Sequence, residues 1–339
     1  MFETEPIRFL QNHASDWFTW FMLIVTSGGS AFVRDLFISV TLFGINFRKG
    51  IVLANLCWLA ALFTDFFKNL FAMPRPYEVD ATVVNLQEDW LFKRLSRDGA
   101  ATRLWQFIQN LSQSSELAMR SFPSGHASTA TALWGGLYSL FGKPTTRWLA
   151  IILIPLIAFS RVYLGKHFIG DVIGGVMISV ILIYGARLVL RRDTIFRLSL
   201  SKPDSIKPIG RQTFFLLIYI LGLPVALFFL IPAVKAEAIG SLFGLNVAFF
   251  IVWVKGLPDD SACLSKRLAR IALGLLTGFG AHIIIGYLGK AFDMSFESAF
   301  KFVQASVSSG FSILVTITLS KRLRLYEPKN PGDQLNPAL

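Results

Sequence analysis

The chain has 339 residues, 53% of them hydrophobic, with 32 Phe, 8 Trp and 16% charged residues, against the roughly 25% charged share of soluble domains. This composition excludes an ordinary soluble protein. The net charge of +12 does not mark a nucleic-acid surface, because the cations are spread over several connections instead of one patch with aromatics between them.

A membrane-spanning helix needs roughly 20 mostly apolar residues, and the sequence offers about nine such stretches. The expected fold class is therefore all-α, a polytopic membrane helix bundle. Residues 1–28, with acidic Glu3 and Glu5 and no small-residue cleavage site after the short apolar run at 17–25, do not read as a signal peptide. Their Trp17 and Trp20 suit an amphipathic segment at the membrane interface. Spans are then expected near 29–46, 51–72, 126–142, 147–164 and 168–190. The stretch 77–122 is the longest polar connection, expected as a lid or rim. Residues 191–212, broken by Pro203, Pro208 and Gly210, form a linker. Four more spans follow near 213–233, 239–254, 268–289 and 300–320, then a tail at 321–339. Residues 29–190 would form one bundle and 213–320 a second region without an assigned role. Cys57 and Cys263 have no metal-type spacing and support neither a disulfide framework nor a zinc site.

Of the 33 Lys and Arg, 19 fall in alternate connections, among them Arg48 and Lys49, the run from Arg187 to Arg211, Arg270, and Lys321 to Lys329. The positive-inside rule puts those connections and the C-terminus in the cytoplasm. With nine spans the N-terminus, 77–122, 161–167, 234–238 and 290–299 face outward.

Three polar islands interrupt the front half, each at an outward end of a span. In "KNLFAMPRP", Lys68 and Arg75 are seven apart, which predicts one helix face before Pro76 ends or kinks the helix. Two cations snorkelling at a helix end is the alternative. In "SFPSGHAS", Pro123 and Ser124 open a helix, Gly125 lets a ligand approach the first amides, and His126 follows. A helix start with an incidental histidine is the alternative there. In "SRVYLGKHFIGD", His167 and Asp171 are four apart, so the carboxylate can orient one imidazole nitrogen and leave the other free. Arg161 adds a planar fork suited to phosphate oxygens; an ordinary loop with a capping Asp is the alternative. Jointly the islands supply three cations, a helix-start amide cradle and two histidines, the parts of a phosphoryl-transfer site.

Lys68, Arg75 and Pro76; Pro123, Ser124, Gly125 and His126; and Ser160, Arg161, His167 and Asp171 together resemble the three-part signature of the type 2 phosphatidic acid phosphatase superfamily. Every signature position is matched in order, over roughly residues 30–190. The resemblance implies a catalytic core of the phosphatidic acid phosphatase and haloperoxidase type, although a soluble haloperoxidase disagrees with the composition. It implies His167 as nucleophile forming a phosphohistidine, Asp171 as its partner and His126 as acid and base. Lys68, Arg75, Ser124, Gly125 and Arg161 would bind phosphate, with no metal and no cofactor. Lys166 is outside the signature and has no assigned task. The expected substrate is a lipid phosphate or pyrophosphate, met among membrane lipids, with the site on the periplasmic face of a bacterial cytoplasmic membrane. An endoplasmic reticulum membrane with a luminal site is the other setting. The rival readings are a sugar-phosphate phosphatase of glucose-6-phosphatase type, suggested by nine spans, a phosphotransferase using the same residues, and a non-catalytic transporter. His282 is expected as a packed or an interhelical polar residue.

Overall fold

The structure, a computed structural model, describes residues 3–89, 120–191, 218–230, 234–291 and 298–326. Among these residues all regular structure is helical. Six helices are long and apolar enough to cross a membrane, and a bent pair, Asp16–Ser27 with Ala31–Ile45 at 47°, makes a seventh if it is one broken span. Two of the nine expected stretches fall short of that test. The helix beginning at Gly125 is built in pieces of six, five and six residues, and the stretch at 213–233 is described only at 218–230. Most of the expected linker at 191–212, residues 90–119 of the expected lid, and residues 327–339 of the tail lie outside the described residues.

The chain divides into two compact units, one of residues 1–34 and 59–187 and the other of residues 35–58 and 188–339. In chain order the helices are α1 (Glu5–Asn12), α2 (Asp16–Ser27), α3 (Ala31–Ser39), α4 (Phe47–Phe71), α5 (Pro76–Val79), α6 (Gly125–Ala130), α7 (Gly136–Phe141), α8 (Pro144–Tyr163), α9 (Ile169–Arg191), α10 (Leu223–Leu230), α11 (Ala236–Lys255), α12 (Leu264–Ala291) and α13 (Ser298–Arg322). The sequence assigns residues 35–58 to the front bundle, whereas their contacts place them with the rear region. Phe43 packs where a Cβ on Gly274 of α12 would stand, the Phe47 ring lies 6.5 Å from that of Phe249, and Asn55 and Asn246 exchange two amide hydrogen bonds of 3.0 Å. Such paired amides satisfy polar groups that lipid cannot.

In the first unit, α1 and α2 bury Ile7 and Met22 and leave Trp17 and Trp20 exposed. Gln11 ties α1 to the chain beyond α5 by donating to the Val84 carbonyl at 2.7 Å and accepting the Val84 amide at 2.9 Å. On α9 the exposed apolar residues Ile173, Met177, Val180, Ile181 and Tyr184 recur at helical spacing. A stripe of that size on a helix surface fits hydrocarbon and not water, and the exposed apolar side chains agree with an integral membrane protein.

In the second unit, Gly240 and Gly244 bring α11 against α13, since a Cβ at either would fall on the carbonyl oxygen of Phe302 or Ser306. This is the close small-residue contact by which helices associate in lipid. Arg270, counted from the sequence among the cations of a cytoplasmic connection, is fully buried, with its guanidinium 4.4 Å from the centre of the Tyr326 ring. His282 is exposed and not packed, and its link between helices is through the backbone, its carbonyl accepting Gln304 Nε2 of α13 at 3.2 Å. Replacing Gly244 by Val should cost about 2–3 kcal/mol through overpacking, read as a lower melting temperature in detergent. Gly280→Ala, where nothing stands within 4 Å of the new Cβ, should leave the melting temperature unchanged or higher.

Candidate active site

Four helix ends meet in the first unit. Lys68 is in the last turn of α4, Arg161 in the last turn of α8, Gly125 opens α6, and Asp171 is in the first turn of α9. Antiparallel neighbours alternate their ends, so two C-termini and two N-termini at one place put all three islands on the same side of the bundle.

The first island departs from expectation. Helix α4 stops at Phe71, Ala72 takes the left-handed conformation at φ 46°, and Arg75 caps α5 with extended backbone. Lys68 and Arg75 therefore do not share a helix face. The cause is Pro74, which has no amide hydrogen and disfavours helix at the residue before it. Arg75 is instead fixed by its amide, which donates to Glu78 Oε2 at 2.8 Å, and by its Nη1, which donates to the Lys166 carbonyl at 3.0 Å. Lys68 is buried and donates to the carbonyls of Arg120 and, at 3.4 Å, Ser121. It thereby braces the chain that leads into the second island.

That island is seated on α9. A Cβ at Gly174 would strike the Phe122 ring and one at Gly175 would strike the Ser124 carbonyl, so the two glycines let α9 approach. The Ser124 amide donates to the Asp171 carbonyl at 2.9 Å. Ser124 is thus a helix cap whose own amide is committed to α9, and its buried Oγ makes no hydrogen bond among the described residues. Gly125 is not required by packing, because a Cβ there would meet Thr64 Cγ2 at an ordinary 3.8 Å. From the other side Gly29 approaches His126, where a Cβ would stand 2.8 Å from the His126 carbonyl oxygen.

In the third island Arg161 is buried, and its Nη1 donates to Thr26 Oγ1 at 2.9 Å and Gln87 Oε1 at 3.2 Å. Its Nε is buried without a hydrogen bond among the described residues. His167 lies just before α9, with Nδ1 3.5 Å from Asp171 Oδ2, a separation longer than a hydrogen bond. The same carboxylate oxygen accepts the Phe168 amide at 2.8 Å and the hydroxyl of Ser121. Burial, with Arg75, Lys68 and Arg161 nearby, holds the His167 imidazole well below the usual histidine value. It is therefore neutral at physiological pH, the form in which a ring nitrogen carries a lone pair.

Several partners were not legible beforehand. Thr26, Gln87 and Arg120 reach the site from segments distant in sequence. Ser121, quoted within the second island, had no signal beyond its closeness to Pro123.

Buried cations, two histidines and a helix start gathered at one bundle end are the parts that a phosphate-ester enzyme uses. Residues 49–195 match the family model of the PAP2 superfamily. That part of the chain belongs to this superfamily, the type 2 phosphatidic acid phosphatases, and the fold is of its all-helical kind. The match marks residues 49–195 as a region of the phosphatase-type hydrolase kind. Comparison with the curated proteins and with the solved structures found no match.

Proposed function

We propose that the chain is an integral-membrane phosphatase that hydrolyses a lipid phosphate monoester or pyrophosphate through a phosphohistidine on His167, without a metal. The observation that carries this reading is the convergence of Arg75, Arg161, Lys68, the Ser124–Gly125 helix start and the His167–Asp171 pair at one end of the first unit.

In the first step the His167 nitrogen remote from Asp171, Nε2, attacks phosphorus. The bond from phosphorus to the ester oxygen breaks, and that oxygen takes a proton from His126. The developing positive charge on the imidazole is balanced by Asp171. In the second step His126 accepts a proton from water, the resulting oxygen attacks phosphorus, and the N–P bond breaks to release phosphate. Arg75, Arg161 and Lys68 stabilise the equatorial oxygens as charge redistributes. Because the Ser124 amide already serves Asp171, the helix-start donors offered to substrate begin with the Gly125 amide and the Ser124 hydroxyl.

The proposed site faces away from the cytoplasm, toward the periplasm in a bacterial cytoplasmic membrane, a reading supported by the excess of Lys and Arg in the alternate loops. Its position at the end of membrane helices favours a substrate whose phosphate lies at headgroup level. Purified protein with a chelator should release phosphate from one or more of phosphatidate, phosphatidylglycerol phosphate, a polyprenyl pyrophosphate or a sphingoid phosphate, and vanadate should inhibit. Release from none of them, or release restored by added magnesium alone, overturns the proposal.

Gly125 supplies a separate check. Since packing tolerates a Cβ, Gly125→Ala should fold with an unchanged melting temperature yet lose about 10²-fold in kcat, the scale of one impaired oxyanion contact. Unchanged turnover would show that substrate does not approach this amide.

A further inference from the structure

Lys166 precedes the nucleophile and has no part in the signature, yet it is built into the site. Its side chain is 11% exposed and its Nζ lies 2.6 Å from Glu88 Oε1, whose own side chain is 67% exposed. The ammonium also stands 5.7 Å from the centre of the Tyr77 ring, two residues beyond Arg75. The Lys166 carbonyl holds Arg75 Nη1, and Gln87, next to Glu88, accepts from Arg161 Nη1. The pair is therefore tied on both sides to arginines assigned to phosphate. The cation of the pair is buried and fixed, whereas the anion is at the rim and open to solvent, so the carboxylate is the exchangeable member.

We propose that Lys166 binds a second anionic group next to the scissile phosphate, that the Glu88 carboxylate holds this position until substrate displaces it, and that the pair sets the preference between diphosphate and monophosphate substrates. This rests on the phosphatase reading and extends it to specificity. A fourth cation beside Arg75, Arg161 and Lys68 would be costly without an accompanying anion. Burial, joined by Arg161 and Arg75, takes Lys166 down to about 8 even though Glu88 acts to raise it. A monophosphate held by Arg75 and Arg161 leaves the Lys166–Glu88 pair intact. A diphosphate must compete with Glu88 for Lys166, and its second phosphate meets a like charge until the carboxylate swings out.

The test compares full-length wild type, Glu88→Gln and Lys166→Gln in detergent, using a lipid diphosphate and the monophosphate of the same alcohol. Glu88→Gln should raise the ratio of kcat/KM for diphosphate over monophosphate by about tenfold, and Lys166→Gln should lower it by about tenfold. Glu88 is largely exposed, so its variant remains informative should Lys166→Gln fail to fold. The affinities of the same proteins for inorganic pyrophosphate and orthophosphate, read by thermal shift, give a measure that needs no turnover. Phosphate release with the same ratio in wild type and Glu88→Gln overturns this inference and leaves the phosphatase reading standing. A pyrophosphate preference that shifts as stated, with no phosphate release by the wild type, supports the inference as a binding site and overturns the phosphatase reading.

Discussion

His167→Ala should reduce turnover by at least about a thousandfold, because a nucleophile has no substitute within the site. His126→Ala should behave differently, and the difference identifies the two roles. With p-nitrophenyl phosphate the leaving group departs without a proton, so loss of His126 spares the first step and impairs the second. The expected result is a burst of nitrophenolate of about one equivalent per active site followed by a stall. The stalled enzyme should carry an acid-labile, alkali-stable phosphoryl group that is absent from His167→Ala. Label in His167→Ala, or a stalled enzyme without label, would remove the phosphohistidine from the mechanism. The neutral His167 imposed by burial and the surrounding cations fixes the pH behaviour of the first step. A group held below its usual value stays unprotonated down to lower pH, so the burst in His126→Ala should persist below the ordinary histidine range, near 6.5.

Much of this site could be read from residue order, because the chemistry depends on residue types at short spacing. His167 and Asp171 are four apart at a helix start, and the Pro-Ser-Gly-His run opens a helix in the structure as local rules require. What failed was the geometry of the first island. Lys68 and Arg75 look like neighbours two turns apart, but Pro74 and the left-handed Ala72 turn the chain out of α4 between them. Local rules contain the reason, since a proline stands there, and periodicity alone concealed it. Other contacts could not be read at all. Thr26 on Arg161, Arg120 on Lys68 and Glu88 on Lys166 join positions 52 to 135 residues apart. The grouping of residues 35–58 with the rear helices was hidden for the same reason. It depends on Gly44 and Gly274 admitting Ile271 and Phe43, and no pattern within either segment shows that.

Asp171→Asn and Ser121→Ala should separate charge from position in the nucleophile's support. Asp171 Oδ2 receives the Phe168 amide and the Ser121 hydroxyl while standing 3.5 Å from His167 Nδ1. An asparagine oxygen can keep both of those donors, so the fold of the loop survives and the negative charge does not. The imidazole that becomes cationic on attack then loses its counter-ion, and kcat should fall about 10³-fold with little change in KM. Ser121→Ala keeps the charge and removes one of the two donors that set where the carboxylate points. Its cost should be smaller, about tenfold in kcat, again with KM unchanged, and Ser121→Thr should restore most of it because the hydroxyl is retained. A merely structural serine would instead lower the melting temperature and leave the kcat of the folded fraction intact. If Ser121→Ala and Asp171→Asn are combined, the loss should be no greater than for Asp171→Asn alone, since the serine acts through the carboxylate. Additive losses would show that Ser121 meets the substrate by another route.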